Sequence, residues 1–126
     1  MKKILIIDDS KTMRRIVSNT VIRIGIKKEN ITEAEDGAVA IEKLQKLGYD
    51  YFDTILCDIN MPNANGYDVL KNVRSNNKDV PIIMITTEGG KVEVIKALKM
   101  GCNNYIVKPF TPQVLKEKLT PLIGEI

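Results

Sequence analysis

The sequence predicts an α/β domain built around a parallel sheet, and three observations carry that prediction. Short apolar runs alternate with amphipathic segments five times along the 126 residues, the pattern of successive βαβ units. The hydrophobic share is 44% and the charged share 28%, which describes an ordinary globule well away from the disordered class. Ionisable groups also follow directly on three of the runs. Asp8 and Asp9 follow Ile4-Leu5-Ile6-Ile7, Asp58 follows Thr54-Ile55-Leu56-Cys57, and Lys108 follows Tyr105-Ile106-Val107. Parallel strands would bring all four groups to one carboxyl edge, where open α/β sheets place their ligand sites.

The first strand is expected near residues 3 to 7. The helix after it shows Met13, Ile16, Val17, Thr20, Val21 and Ile24 at 3.6-residue spacing, with Gly25 to end it. A second strand near 31 to 35 rests on a weaker pattern, because Ile31-Thr32-Glu33-Ala34-Glu35 has only two apolar members. After Asp36-Gly37 a second helix should present Ala40, Ile41, Leu44 and Leu47 on one face. A third strand near 53 to 57 leads, past Gly66, to a helix marked by Val69, Leu70 and Val73. The fourth strand, near 81 to 86, precedes a helix showing Val94, Ile95 and Leu98 before Gly101. The fifth, near 104 to 107, leads to a helix with Thr111 as N-cap and Pro112 at its first position, where a missing N–H costs nothing. Leu115, Leu119 and Leu122 line that helix, and Pro121 should kink or end it. No linker, repeat or low-complexity tract interrupts the alternation, so residues 1–126 are expected to form one domain. A chain of this length buries roughly two-thirds of its unfolded surface.

Composition narrows the function classes. Nineteen Lys and Arg against sixteen Asp and Glu leave a net charge of +3, spread along the chain without the concentrated basic face that nucleic acid demands. No apolar stretch approaches membrane-span length. The apolar part after Met1-Lys2-Lys3 is too short for a signal peptide, so a cytoplasmic monomer is expected. Cys57 and Cys102 lack CxxC spacing and read as buried reduced thiols. The chain has no histidine, which removes Ser-His-Asp and Cys-His catalysis, His-ligated zinc and phosphohistidine chemistry together.

Three crowded carboxylates repel one another and raise each other's pKa unless a cation sits among them. Mg²⁺ favours hard oxygen ligands, usually one or two carboxylates with waters and phosphate oxygens, and Asp8, Asp9 and Asp58 supply such a set. Asp58 is then a candidate nucleophile toward a phosphoryl group. The metal would offset the like-charge repulsion while the Lys108 ammonium neutralises a phosphoryl oxygen. Phosphoryl transfer needs mainly positioning and charge stabilisation, so no separate base is required. Thr86 and Thr87 end the fourth run. A Thr86 hydroxyl beside Asp58 could bond a phosphoryl oxygen present only after modification, which makes it a switch candidate. Singly, each feature has a plainer explanation: an N-cap, a loop aspartate, a solvated lysine, a strand threonine. Their coincidence at one sheet edge is what singles them out.

Asp8-Asp9, Asp58-Ile59-Asn60-Met61-Pro62 with Gly66, Ile85-Thr86 and Lys108-Pro109-Phe110 together resemble the signature of two-component response regulator receiver domains, end to end. Within that family, Asp9-Ser10-Lys11-Thr12-Met13-Arg14-Arg15 and Asn104-Tyr105-Ile106-Val107-Lys108-Pro109-Phe110-Thr111 are most similar to the single-domain chemotaxis regulators. The resemblance implies a flavodoxin-like (βα)5 doubly wound fold with strand order 2-1-3-4-5. It implies Asp58 as phosphoacceptor, Asp8 and Asp9 as metal ligands, Asn60 as a ligand through its carbonyl, and a cis Lys108–Pro109 bond. Tyr105 matches an aromatic whose rotamer follows Thr86. Asn60 and Glu88 match positions that set the acyl-phosphate lifetime, and Gly89-Gly90 departs from better-known members. Lys91, Tyr105 and Lys118 are implied to form the partner-binding surface.

The expected function is therefore a chemotaxis response regulator with no output domain. It would receive a phosphoryl group from a histidine kinase and bind the flagellar motor switch, with a phosphatase as a further partner. The alternative within signalling is a single-domain phosphorelay intermediate or phosphate sink. An aspartyl-phosphate phosphohydrolase of the haloacid-dehalogenase type would need Asp-x-Asp after the first strand and a substrate cap. This chain has adjacent Asp8-Asp9 and no cap insertion, so beyond self-phosphorylation and autodephosphorylation no enzyme is expected.

Overall fold

The computed structural model describes residues 2–87 and 90–123. Five parallel strands, β1 (Ile4–Ile7), β2 (Ile31–Ala34), β3 (Thr54–Cys57), β4 (Ile82–Thr86) and β5 (Asn104–Val107), form one sheet in the order β2-β1-β3-β4-β5. The helices are α1 (Lys11–Ile24), α2 (Gly37–Leu47), α3 (Gly66–Asn76), α4 (Lys91–Lys99) and α5 (Pro112–Ile123), with a short 3₁₀ turn at Lys28–Asn30. This is the flavodoxin-like α/β fold expected from the sequence.

Alternation along the strands divides the core in two. Leu5, Ile7, Ile55, Cys57, Ile82 and Met84 face a cluster completed by Leu44, Val69, Leu70 and Ala97, which places α2, α3 and α4 on one side. Ile4, Ile6, Leu56, Ile83 and Ile85 meet Val17, Val21, Leu115 and Leu119 from α1 and α5 on the other. Both faces are covered, so the three central strands read as continuous apolar runs. β2 is an edge strand, which explains its thin pattern: only Ala34 is fully buried, and the backbone ladder to β1 holds the rest in register.

The helix ends follow their local signals. Ser10 Oγ accepts from the Met13 N–H at 3.1 Å, and Gly25 closes α1 with φ 126°. Asp36 Oδ1 accepts from the Val39 N–H at 2.8 Å to start α2, Asn65 and Asp68 form a reciprocal capping box on α3, and Thr111 Oγ1 accepts from the Val114 N–H at 3.3 Å. Two expectations change. α5 runs through Pro121 to Ile123, so the proline does not end it. The apolar stripes are also wider than the contacts they make. Ile16 is 45% exposed, Leu47 42%, Ile95 41% and Leu98 46%. On α4 only Ala97 is fully buried, because the helix touches the sheet along one narrow line beside β5.

Candidate functional site

The sheet ladder runs one residue past three strand ends, which fixes the site's backbone. The Asp8 N–H donates to Ala34 O at 3.1 Å, the Asp58 N–H to Ile7 O at 2.9 Å, and the Lys108 N–H to Thr86 O at 2.8 Å. The side chains that follow are thereby delivered to one edge. Asp8 and Asp58 are buried and Asp9 is exposed, yet one carboxylate oxygen from each lies within 4.8 Å of the other two. Lys108 Nζ donates to Asp8 Oδ2 at 2.8 Å and stands 3.4 Å from Asp58 Oδ2. Asp8 Oδ1 accepts from the Ser10 N–H, and Asp58 Oδ1 from the Ile59 N–H.

Burial raises the Asp58 pKa above its ordinary value. The Lys108 charge pulls it back and the Asp8 charge pushes it further up. Desolvation thus outweighs the like-charge crowding expected from the sequence. The same burial holds the neighbouring Cys57 thiol well above its usual range, and both cysteines are free and buried. Three carboxylates against one ammonium leave an uncompensated negative cluster of hard oxygen donors, open on the Asp9 side. That donor set fits a divalent cation that keeps part of its water shell.

Close packing brings the start of α3 against the site. A Cβ on Gly66 would overlap the Asp58 carbonyl oxygen and would also press on Ile59 Cα and Met84 Cε. Only glycine lets α3 begin this near the nucleophile candidate. The Gly66 N–H donates to Ile59 O at 2.8 Å.

Other expected site residues divide into those at the edge and those away from it. Thr86 is fully buried at the end of β4, opposite Val107 in the register and next to Lys108. Asn60 is exposed two residues beyond Asp58, and the Lys108–Pro109 peptide is cis. Glu88 and Gly89 lie outside the described residues. Lys91 is exposed at the start of α4, and Lys118 Nζ reaches Asn104 Oδ1 at 3.4 Å. Tyr105, whose rotamer is expected to follow Thr86, is turned inward. Its side chain is 7% exposed and packs in the core beneath α4, because its position on β5 points to the helix-covered side. The apolar groups exposed on these elements are instead Val92, Ile95, Leu98 and Val107.

Two supports were not read from the sequence. Arg14 Nη1 donates to the Asp8 carbonyl at 2.7 Å while its Nε bonds Glu33 Oε1 at 3.2 Å, so α1 braces the acidic loop. Asp36, besides capping α2, accepts from Asn63 Nδ2 at 2.9 Å. Asn63 has φ 68°, a conformation asparagine tolerates better than most residues, and the bond ties the loop after Asp58 to α2. Those N–H donors hold the Asp36 carboxyl below its usual value. The Asp36-Gly37 cap signature was a visible signal; its distant partner was not.

The fold and this edge constellation define a receiver. The response regulator receiver domain model matches residues 4–120, and the chain belongs to that family. Its relatives make the class narrower. Chemotaxis protein CheY1 of Helicobacter pylori J99 is 58% identical, with 97% of each chain covered. A chemotaxis protein CheY homolog of Campylobacter jejuni 81-176 is 54% identical over 97% of this chain and 92% of its own length. Among solved structures, Vibrio cholerae chemotaxis protein CheY4 shares 36% identity with a TM-score of 0.84, over 97% of this chain and 98% of that one. CheY in a CheX–CheY–BeF3–Mg complex from Borrelia burgdorferi shares 26% with a TM-score of 0.88, over 96% and 88%. The chain is thus a response regulator receiver of the chemotaxis CheY type. Among the described residues no helix is long and apolar enough to cross a membrane.

Proposed function

We propose that this protein is a phosphorylation-controlled binding module of chemotaxis that accepts a phosphoryl group on Asp58 from a histidine kinase. One observation carries the reading: a buried Asp58 carboxylate sits with Asp8 and Asp9 within 4.8 Å, and with Lys108 Nζ at 3.4 Å. Asp8, Asp9, Asp58 and the Asn60 carbonyl would hold Mg²⁺, which supplies charge neutralisation between carboxylate and phosphoryl group. Asp58 Oδ2 attacks phosphorus, the donor's leaving group departs, and an acyl phosphate forms. Lys108 then exchanges its contact with Asp8 or Asp58 for a phosphoryl oxygen. The Thr86 hydroxyl turns to the same group, vacating space next to β5 for Tyr105. The family resemblance assigns the acyl-phosphate lifetime to Asn60 and Glu88. Self-phosphorylation from a small donor and autodephosphorylation are the only chemistry assigned.

The output partner is the flagellar motor switch, met by α4, β5 and α5 through Lys91, Lys118 and an outward Tyr105. The CheX complex of the Borrelia relative supports a phosphatase as a further partner. The module works in the cytoplasm as a monomer, and its receiver domain takes in residues 4–120.

Incubation with a small phosphodonor and Mg²⁺ should add one acid-stable, base-labile phosphoryl group. Asp58→Asn should abolish it, and equal labelling of that variant would overturn the assignment. A phosphorylation-dependent gain in affinity for a motor-switch peptide separates this reading from a relay or phosphate sink, which share the same site.

A further inference from the structure

At the edge of the sheet remote from β5, α1, β2 and α2 enclose an open groove of about 480 Å³. Lys11, Arg14, Arg15, Lys28 and Lys43 line it against two carboxylates, Glu33 and Glu35. That excess equals the +3 of the whole chain, so the rest of the molecule is balanced and the net positive charge is gathered here. The distribution corrects the expectation of an evenly spread charge.

The carboxylates do not neutralise the groove. Glu33 is engaged by Arg14, while Lys11, Arg15 and Lys28 are exposed and belong to no ion pair among the described residues. Ile22, 38% exposed, and the half-buried Val39 add an apolar strip between the basic walls.

We propose that this groove docks an acidic, partly apolar segment of a partner protein, independently of phosphorylation at Asp58. Three features select that occupant. The groove is concave, which a flat lipid surface cannot enter. Among the described residues no aromatic lines it, so the base stacking that proteins use on single-stranded nucleic acid is missing. A partner also cannot simply extend the sheet, because the outward Glu33 carbonyl of β2 already accepts from Lys43 Nζ at 2.6 Å. Recognition then falls to side chains: carboxylates of the segment on Lys11, Arg15 and Lys28, and an aliphatic residue on Ile22 and Val39. Because β2 and β5 are opposite edges of the sheet, such a partner would leave α4, β5 and α5 open.

The probe is a labelled twelve-residue peptide of alternating Glu and Leu, followed by fluorescence anisotropy and by amide shifts of ¹⁵N-labelled protein. Shifts concentrated in residues 11–22 and 31–43 are expected. Arg15→Glu with Lys28→Glu should weaken binding about tenfold, as expected for reversing two exposed charges at an interface. Lys71→Glu with Lys78→Glu, the same charge change away from the groove, should leave it unaltered. Melting curves verify that each pair folds. Equal loss in both pairs would mean general attraction to a cationic chain and overturn the groove. Shifts confined to residues 91–118 would overturn it in favour of the opposite edge, and no measurable binding would reduce it to a solvated face. Tighter binding of a single-stranded RNA of equal charge, lost in the first pair, would replace the protein partner with nucleic acid.

Discussion

Asp58 is held in a setting that disfavours its charge, and the sign of that effect can be tested. Its folded-state pKa lies above the unfolded value because of burial, even after the Lys108 contribution. The ionised form therefore destabilises the fold, and the loss grows as pH rises through the range between the two values. Asp58→Asn should raise the melting temperature in EDTA at neutral pH; an unchanged or lower value would mean that the Lys108 pair outweighs desolvation. Asp36 behaves oppositely. Its folded pKa is depressed by the Val39 N–H and the Asn63 amide, so its contribution is complete above the unfolded value of about 3.9 and disappears as pH falls through the lower folded one. Asp36→Asn keeps a competent cap and should flatten the acid limb of stability between neutral pH and about pH 3, read by urea unfolding. An acid limb as steep as wild type would exclude Asp36 as a cause.

At the scale of elements, α4 is the weakest-anchored helix. Ala97 alone is fully buried, and the helix is tied sideways to α3, where Tyr67 Oη bonds Glu93 Oε2 at 2.6 Å and Lys96 Nζ lies 4.1 Å from the ring centre. Tyr67→Phe keeps the ring and removes the bond to a charged group, at a cost of roughly 1.5 to 3 kcal/mol if fully made and less in its half-buried setting. The loss should appear as faster amide exchange in residues 91–99, with the β1 and β3 amides unaffected; uniform acceleration would show that α4 does not open by itself. A loosely held helix next to Thr86 suits a switch. Thr86→Ala should still accept the phosphoryl group but lose about ten- to hundredfold of the phosphorylation-dependent gain in partner affinity, the worth of one charged hydrogen bond. Full retention of that gain would remove Thr86 from the coupling.

Across the whole molecule, what could be read from the sequence was whatever depends on neighbours along the chain. Strand positions followed from apolar runs to within a residue or so, and Gly25, Asp36 and Thr111 marked helix ends through local bonding. The edge cluster was legible because parallel strands carry residues after their ends to the same side. Side-chain facing was less so: Ile95 and Leu98 obey helical periodicity but meet solvent, since periodicity defines a stripe and only packing decides how much of it is covered. The Arg14 bond to Glu33 was hidden for the same reason, as it depends on a partner distant in sequence.

The acidic edge joins β1 and β3, and a cation placed there would act on the stability of the entire sheet. Without it, the charges of Asp8, Asp9 and Asp58 are opposed, among the described residues of the cluster, by Lys108 alone. A ligand that binds only the folded state stabilises it by about 2.7 kcal/mol at a hundred times its Kd. Titrating Mg²⁺ into EDTA-treated protein should therefore raise the melting temperature until that scale of effect is reached. Asp9→Ala removes a carboxylate from a like-charge cluster, so its melting temperature in EDTA should be unchanged or slightly higher, while most of the Mg²⁺-dependent rise is lost. Two results would contradict the site: a wild-type melting temperature indifferent to millimolar Mg²⁺, or an Asp9→Ala protein that gains as much from the metal as wild type does.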